Sequence, residues 1–221
     1  MQPVKLWTRL KQRITAPLKY RNAQRYRRLL SEVEQRAPLS IAEVGVYEGE
    51  RAREMIELSA LSHDVARIRY FGFDLFDLFT PDVLVSELSK APLSRAEVAR
   101  RLARSGAQVK LYQGLSQETL PLFVDERAGA TLDFVFIDGG HAIETIRSDW
   151  ENLQRLTSKE TVVIFDDYYV DCPWLTQRFG CNRVLEELDS KVFRYELITA
   201  PDVFKKPEGD LRVALARVWR R

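Results

Sequence analysis

The sequence predicts an α/β three-layer sandwich, in which a seven-stranded, mostly parallel sheet with an antiparallel last strand lies between two layers of helices. Apolar runs of strand length alternate with helical patterns, which is typical of parallel strands joined by crossover helices. The last two apolar runs have no helix between them, so they can pair antiparallel. The chain has 221 residues, 45% of them hydrophobic, which suits one domain with a sizeable core.

Each element follows from its local pattern. Ser94 and Glu97 have the spacing of a capping box, which satisfies free N–H groups at a helix start. A polar loop with Pro201, Pro207 and Gly209 separates the last two strands. The predicted strands lie near 40–46, 69–75, 109–113, 133–138, 161–166, 193–199 and 211–219. The predicted helices lie near 50–61, 94–105, 117–127, 142–156 and 181–189.

Residues 76–93 are longer than a simple connector and rich in apolar residues. Such a segment suits a mobile cover over a binding site, and an extra packed helix is the alternative. We call residues 76–93 the cover segment.

The N-terminal residues 1–36 are predicted to form a basic helical extension, and residues 37–221 the main domain. The extension has ten Lys or Arg against two Glu, a net +8, whereas the rest has 24 basic and 30 acidic residues, a net −6. Leu6, Trp7, Leu10 and Ile14 have roughly helical spacing. The extension could pack on the domain with a solvated face, contact an anionic membrane surface, or bind the acidic body of a second subunit in a homodimer. A nucleic-acid partner is not expected, because no aromatic residues interleave with the basic ones as in single-strand binders.

Other features bound the protein class. No window approaches 18 uncharged residues and the first residues lack the apolar region of a signal peptide, so we expect a cytoplasmic protein, with peripheral membrane contact through 1–36 left open. Cys172 and Cys181 lie nine residues apart without a CxxC pair, and we expect reduced thiols.

The loops that follow the strands are the candidate site, because ligands of such sheets bind outside the carboxyl ends of the strands. The first strand runs into EVGVYEGE, where Glu43, Gly45 and Gly49 form an ExGxxxG pattern. Its glycines permit a tight turn and close approach of a ligand, and its acid can receive a cationic amine. Asp74 ends the second strand, where a carboxylate can bind both hydroxyls of a ribose. Since the GxGxxG dinucleotide fingerprint is missing, the two loops indicate a nucleoside with a positive amine and no phosphate.

At these residues the chain resembles the class I S-adenosylmethionine-dependent methyltransferases, over roughly residues 38–190. The resemblance implies a Rossmann-like sheet with the antiparallel finish described above. It also implies that the first loop holds the methionine end of S-adenosylmethionine and that Asp74 holds the ribose. The segment LYQGLSQETLP is similar to the family's adenine-side loop. The cofactor-binding residues implied in this way are Glu43, Gly45, Gly49, Asp74, Gly114, Leu115, Ser116 and Asp138.

Three acids end the fourth and fifth predicted strands, Asp138 in the fourth and the pair Asp166 and Asp167 in the fifth. They would lie side by side at one edge of the sheet. Three carboxylates without a basic partner repel one another unless a cation neutralises them, and oxygen-only ligands select a hard ion such as Mg²⁺. Asp138 alone could be a helix N-cap, but one cap does not explain three acids.

The motifs FIDGGHAIET and VVIFDDYY resemble those of metal-dependent O-methyltransferases, above all the bacterial family that groups macrocin O-methyltransferase-like proteins. The resemblance implies a magnesium site of Asp138, Asp166 and Asp167. In the catechol type of these enzymes Asn stands where this chain has Asp167. The resemblance therefore predicts the metal site better than it predicts the methyl acceptor. His141 lies where the catechol type has a catalytic lysine, and we expect it to act as general base beside Asp138, with a structural hydrogen bond as the alternative.

The leading hypothesis is therefore Mg²⁺-assisted methylation of a hydroxyl on a small molecule or sugar. A nitrogen acceptor is left open, although an amine has less need of a metal. The alternatives are a non-catalytic nucleoside-binding module that docks through residues 1–36 and, less favoured because GxGxxG is missing, a nicotinamide-dependent oxidoreductase.

Overall fold

Eight strands form one sheet in the computed structural model, which describes residues 24–207 and 209–221. Most of the basic extension, including Leu6, Trp7 and Leu10, lies outside the described residues. The strands are β1 (Ser40–Val44), β2 (Arg69–Asp74), β3 (Gln108–Gln113), β4 (Phe134–Ile137), β5 (Val162–Tyr169), β6 (Phe193–Leu197), β7 (Asp202–Lys206) and β8 (Gly209–Arg220).

The sheet order is β3-β2-β1-β4-β5-β8-β6, and β7 also pairs with β8. The first five strands are parallel, and β8 is antiparallel to β5, β6 and β7. This confirms the predicted fold class, including the antiparallel finish.

Strand β7 corrects the prediction of a polar loop between the last two strands. β8 has 12 residues and β6 only 5, so β6 pairs with the C-terminal part of β8 alone. The N-terminal part of β8 pairs with β7, from Asp202 opposite Val213 to Lys206 opposite Gly209. The backbone groups of a long strand need partners along its whole length, and this requirement outweighs the polar composition of Asp202–Lys206.

The helices begin and end close to the predicted positions. The capping box is confirmed, since Glu97 donates its backbone N–H to the Ser94 hydroxyl and the Glu97 carboxylate accepts from the Ser94 backbone. The helices are α1 (Gln24–Arg36), α2 (Glu50–Ser59), α3 (Pro81–Ser86), α4 (Arg95–Ala103), α5 (Ser116–Glu126), α6 (Ile143–Leu153), α7 (Pro173–Thr176) and α8 (Asn182–Glu186).

Two apolar clusters fill the space between the sheet and its helices. Because side chains alternate along a strand, Ala42 and Val44 of β1 enter one cluster and Ile41 enters the other. The first cluster includes Phe123 of α5 and Trp150 of α6, together with residues of α8. The second includes residues of α1, α2 and α4. Burial on both faces explains why the central strands are continuous apolar runs in the sequence.

Helix α1 packs on the domain through Leu29, Leu30 and Val33, which are 0%, 2% and 0% exposed. For residues 24–36 this agrees with the interpretation of a packed extension. Arg25 and Tyr26 precede Leu29 and Leu30 by four residues each, so they continue the same helical stripe toward the loops of the sheet.

No helix within residues 24–207 and 209–221 is long and apolar enough to span a membrane. Cys172 and Cys181 are both buried free thiols, as expected.

Gly45 stands at the closest approach of two loops. Its φ is +89°, and a Cβ atom built on it would lie 1.9 Å from the carbonyl oxygen of Asp138. The turn after β1 therefore touches the backbone after β4 directly, and only glycine leaves the required space.

We expect Gly45→Ala to destabilise the protein by about 3 kcal/mol or more, because the methyl group must displace the Asp138 backbone in addition to the cost of positive φ. Gly129→Ala is the matched control, since Gly129 also has a positive φ, +82°, with nothing within 4 Å of an added Cβ. The control should lose only about 1–2 kcal/mol. Urea unfolding measures both values, and equal losses would contradict the close approach.

Candidate active site

A cavity of about 370 Å³ opens at the carboxyl ends of the parallel strands. Its volume lies in the ~300–1,000 Å³ range of small-molecule sites. Its walls come from the loops after β1, β2, β3 and β4, from the cover segment and from α1. Because β1 lies between β2 and β4, the cavity sits where the strand order reverses, the usual ligand site of such sheets.

Most of the predicted site residues meet in this cavity. The sequence-predicted residues in its wall are Gly45, Asp74, Gly114, Leu115, Ser116, Asp138, His141 and Asp167. Three others, Glu43, Gly49 and Asp166, do not line it.

Glu43 is turned away from the cavity because it alternates with Val44 along β1. It is 1% exposed, and its carboxylate accepts a hydrogen bond from the Tyr70 hydroxyl. Burial raises the pKa of Glu43 to about 8. Gly49 precedes α2 with φ +74°, and an added Cβ would contact Val98 at 3.1 Å. The structure thus gives Glu43 a buried hydrogen bond and Gly49 a turn, and neither residue lines the cavity.

Asp74 connects the loops after β1 and β2. Its Oδ2 accepts the backbone N–H of Tyr47 at 2.7 Å, and its Oδ1 accepts that of Phe76 at 3.1 Å. Burial raises the pKa of Asp74, and these hydrogen bonds oppose that rise. The carboxylate is therefore held in one orientation at the cavity wall, and its remaining lone pairs can accept hydroxyl donors.

Asp138, Asp166 and Asp167, which we call the acidic cluster, meet as the sequence predicts. A bulge in β5 interrupts the register between Phe165 and Tyr168, and Asp167 has φ +58°. This left-handed conformation is rare outside glycine and is often found at functional sites. The Nε2 atom of His141 lies 3.1 Å from Asp167 Oδ2.

The expectation of three acids without a basic partner is wrong, because α1 supplies one. Arg25 Nη1 lies 2.9 Å from Asp166 Oδ1, and both Arg25 and Tyr26 line the cavity. In the sequence, a run of basic residues resembles a solvent-exposed helix face. The helical spacing nevertheless indicates that Arg25 and Tyr26 lie on the packed face, because they stand four residues before Leu29 and Leu30.

Burial and mutual repulsion disturb the protonation of the cluster. Burial raises the pKa of Asp138 well above its usual range, and the charges of Asp166 and Asp167 add to the effect. Burial raises the pKa of Asp166 to about 6 as well, with Asp167 adding to it and Arg25 opposing it. The negative charge expected at Asp138 raises the pKa of Tyr26, and burial adds to that rise. Burial lowers the pKa of Arg25, but its acidic neighbours, Asp166 foremost, raise it further and leave it above normal.

The residues present fit a divalent cation. Asp138, His141 and Asp167 each offer one ligand atom, and these atoms lie within 4.8 Å of one another. Asp166 Oδ2 is a buried acceptor without a hydrogen-bond partner in the described residues. The carboxylate oxygens of Asp138 and Asp167 suit Mg²⁺, which prefers oxygen ligands.

The cover segment is fastened to the start of α6 through Glu87. Its Oε2 accepts the Ala142 backbone N–H at 3.0 Å, and its Oε1 accepts the Thr145 hydroxyl at 2.7 Å. Its backbone carbonyl accepts the His141 N–H at 3.2 Å. Ala142 has no side chain to cap α6, so Glu87 provides the cap. The short helix α3 inside the segment has no buried residue, which disagrees with an extra packed helix.

Comparisons with known proteins agree with this geometry. The sequence profile of a family described as a methyltransferase domain matches residues 42–168. No curated protein sequence matches the chain.

Three solved structures share the fold. The O-methyltransferase TomG from Streptomyces achromogenes, involved in tomaymycin synthesis and solved with S-adenosylmethionine, is 17% identical with a TM-score of 0.60, covering 100% of this chain and 90% of its own. An O-methyltransferase from Bacillus cereus, solved with S-adenosylhomocysteine, is 14% identical with a TM-score of 0.59, covering 100% and 92%. CalS11, a TDP-rhamnose 3′-O-methyltransferase of calicheamicin biosynthesis, is 17% identical with a TM-score of 0.57, covering 100% and 95%.

Asp149 of α6 is a buried acid behind the cavity wall. It is 0% exposed, and its carboxylate oxygens form no hydrogen bond of ordinary geometry within the described chain. Burial raises the pKa of Asp149 to about 7, while the nearby Ser116 hydroxyl opposes that rise and the charge of Glu87 adds to it. The folded protein therefore holds a proton on Asp149 that the unfolded chain has already lost above pH ~4.

From this shift we predict how Asp149→Asn changes stability with pH. The unfolded chain ionises first, so the parent protein loses stability as pH rises toward 7, and the asparagine variant is spared this loss. The stability of the variant relative to the parent should rise by about 2–3 kcal/mol between pH 5 and pH 8. Urea unfolding at the two pH values measures it, with the exposed Asp125→Asn as control. A pH-independent difference would contradict the buried titration.

Proposed function

The chain belongs to the methyltransferase domain family, and from this premise we propose that it is an S-adenosylmethionine-dependent O-methyltransferase. The observation that carries the proposal is the composition of a single cavity. One wall has the loops expected for a nucleoside cofactor, and another has a histidine and the acids that can activate a hydroxyl. S-adenosylmethionine and S-adenosylhomocysteine in the structures of TomG and the Bacillus cereus enzyme support the choice of cofactor.

The cofactor end is proposed at the loops after the first three strands. Asp74 would accept the ribose hydroxyls, since its backbone hydrogen bonds already fix its orientation. Gly114, Leu115 and Ser116 would line the adenine side. Gly45, which lines the cavity, would contact the methionine end through its backbone.

The acceptor end is proposed at His141 and the acidic cluster. His141 Nε2 lies 3.1 Å from Asp167 Oδ2, so a tautomer with its proton on Nε2 would leave Nδ1 as the basic nitrogen of the ring. S-adenosylmethionine would supply a methyl group bound to a positively charged sulfur, and His141 would take the proton of the acceptor hydroxyl, so that the products would be a methyl ether and S-adenosylhomocysteine. Asp167 would orient the imidazole and stabilise its positive charge. The cavity would hold oxygen and methyl in line, which removes much of the entropic barrier.

A magnesium ion is part of the proposal. Asp138, Asp167 and the free Oδ2 of Asp166 would hold it, and it would stabilise the negative charge that develops on the acceptor oxygen. An all-oxygen ligand set leaves His141 available as the base.

The proposed acceptor is a hydroxyl of a small molecule or a glycosyl group. Phe79, Val83 and Leu88 of the cover segment give the cavity an apolar wall, while Ser86 and Lys90 add polar groups. The activity in the name of CalS11 supports the sugar class. A homodimer and a membrane contact through residues 1–36 stay predictions from the charge distribution.

The first test is isothermal titration of S-adenosylhomocysteine into the purified protein. We expect Asp74→Asn to weaken binding at least about tenfold, because the variant replaces a charged acceptor of two hydroxyls with an amide. Asp125→Asn, an exposed acid on α5 away from the cavity, should bind like the parent. Absence of heat with the parent protein would refute the cofactor assignment.

The second test is turnover. The protein is incubated with S-adenosylmethionine, Mg²⁺ and panels of catechols and nucleotide sugars, and release of S-adenosylhomocysteine is followed. His141→Gln should lower kcat by about 10²–10⁴-fold, the range for loss of a general base, with unchanged S-adenosylhomocysteine affinity. His63→Gln is the control, because His63 is the other histidine of the chain and its ring contacts the Ala37 carbonyl outside the cavity. Equal rates for the two variants would exclude His141 as the base.

A further inference from the structure

Asp166 is the member of the acidic cluster that already has a cation. Its Oδ1 receives Arg25 Nη1 at 2.9 Å and the backbone N–H of Asp167 at 2.8 Å. Its side chain is 1% exposed, so water does little to screen this ion pair. The ligand atoms that lie within 4.8 Å of one another belong to Asp138, His141 and Asp167, so Asp166 could add only its free Oδ2 to a metal site.

The arginine is fixed in place by several contacts. Arg25 Nη2 donates to the Tyr26 hydroxyl at 3.3 Å, and Arg25 Nε lies 3.6 Å from Asp202 Oδ2. The guanidinium carbon lies 4.9 Å from the centre of the Tyr26 ring and 6.0 Å from that of Phe204. The side chain is only 15% exposed. The guanidinium of Arg25 thus contacts residues of α1, β5 and β7, and these contacts fix its position in the site.

The net charge of the acidic cluster depends on Arg25. When ionised, the acidic cluster has three negative charges, and one guanidinium leaves two, which one divalent cation balances. Without the arginine, three charges and both oxygens of Asp166 would be offered to a cation. In a buried site a nearby positive charge repels a second cation strongly, because protein screens charges less than water.

We propose that Arg25 is an internal counter-ion of the acidic cluster, a positioning residue that occupies Asp166 and sets how tightly the cluster binds a divalent cation. This inference rests on the metal site of the proposed function. It assigns to the basic N-terminal segment a role inside the site, where its charge keeps the affinity for the metal moderate.

The test is a titration of Mn²⁺, free of nucleotide, into the parent protein and three variants at fixed ionic strength, by calorimetry and by electron paramagnetic resonance. Arg25→Gln should bind Mn²⁺ at least tenfold more tightly than the parent. Arg25→Lys keeps the charge and should stay within about threefold of it. Arg27→Gln, which removes the same charge from an exposed position of the same helix, is the control and should stay within about twofold.

The outcomes separate the inference from the proposed function. If Arg25→Gln binds Mn²⁺ like the parent or more weakly, the counter-ion role is refuted and the metal site survives. If neither the parent nor any variant binds Mn²⁺, the metal site and the inference fail together, while S-adenosylhomocysteine titration still tests the cofactor site independently. If Arg25→Gln does not fold, the lysine variant decides, since a tenfold change in either direction would show that charge is not what matters.

Discussion

The crowding of three carboxylates at one edge of the sheet is the constraint around which the site is organised. Asp138 and Asp166 are in water-poor surroundings that raise the pKa of each, so the cluster is unstable as three bare charges. Basic groups from distant parts of the chain lie beside these carboxylates. Arg25 comes from α1, more than a hundred residues before Asp166, and His141 comes from the loop after β4. The packed apolar residues of helix α1 therefore place a cation in the cavity wall.

The cofactor end and the acceptor end are joined by direct contacts. Gly45 meets the Asp138 carbonyl because no side chain intervenes, so the turn expected to hold the cofactor touches the loop that carries the first acid. Beside it, Gln117 donates to the Thr145 hydroxyl at 3.3 Å, and Thr145 donates to Glu87 of the cover segment at 2.7 Å. The adenine-side loop, the start of α6 and the cover segment are thus linked by one series of hydrogen bonds. An enzyme of the proposed kind needs such rigidity, since methyl transfer depends on alignment of two bound reactants.

Helix α3 of the cover segment shows how a surface helix can be fixed without being buried. It leaves Leu84 and Val85 exposed, at 47% and 71%, whereas Glu87 at its end is tied to α6. Glu87 thus attaches the C-terminal end of α3, while Phe79, Val83 and Leu88 line the cavity, which suits a part of the wall that contacts the acceptor.

The sequence by itself determined the sheet, the positions of most elements and the loops that carry the site, because alternating apolar patterns and strand-end motifs are local properties. It also determined that Asp138, Asp166 and Asp167 meet, since parallel strands place their carboxyl ends together. Only the tertiary structure decided that Glu43 faces away from the cavity, that β7 completes the long strand β8, and that Arg25 reaches Asp166. These depend on which face a strand residue takes and on contacts between residues far apart in the chain. No local sequence pattern encodes these contacts. The ion pair between Arg25 and Asp166 follows only from the packing of α1 against the sheet.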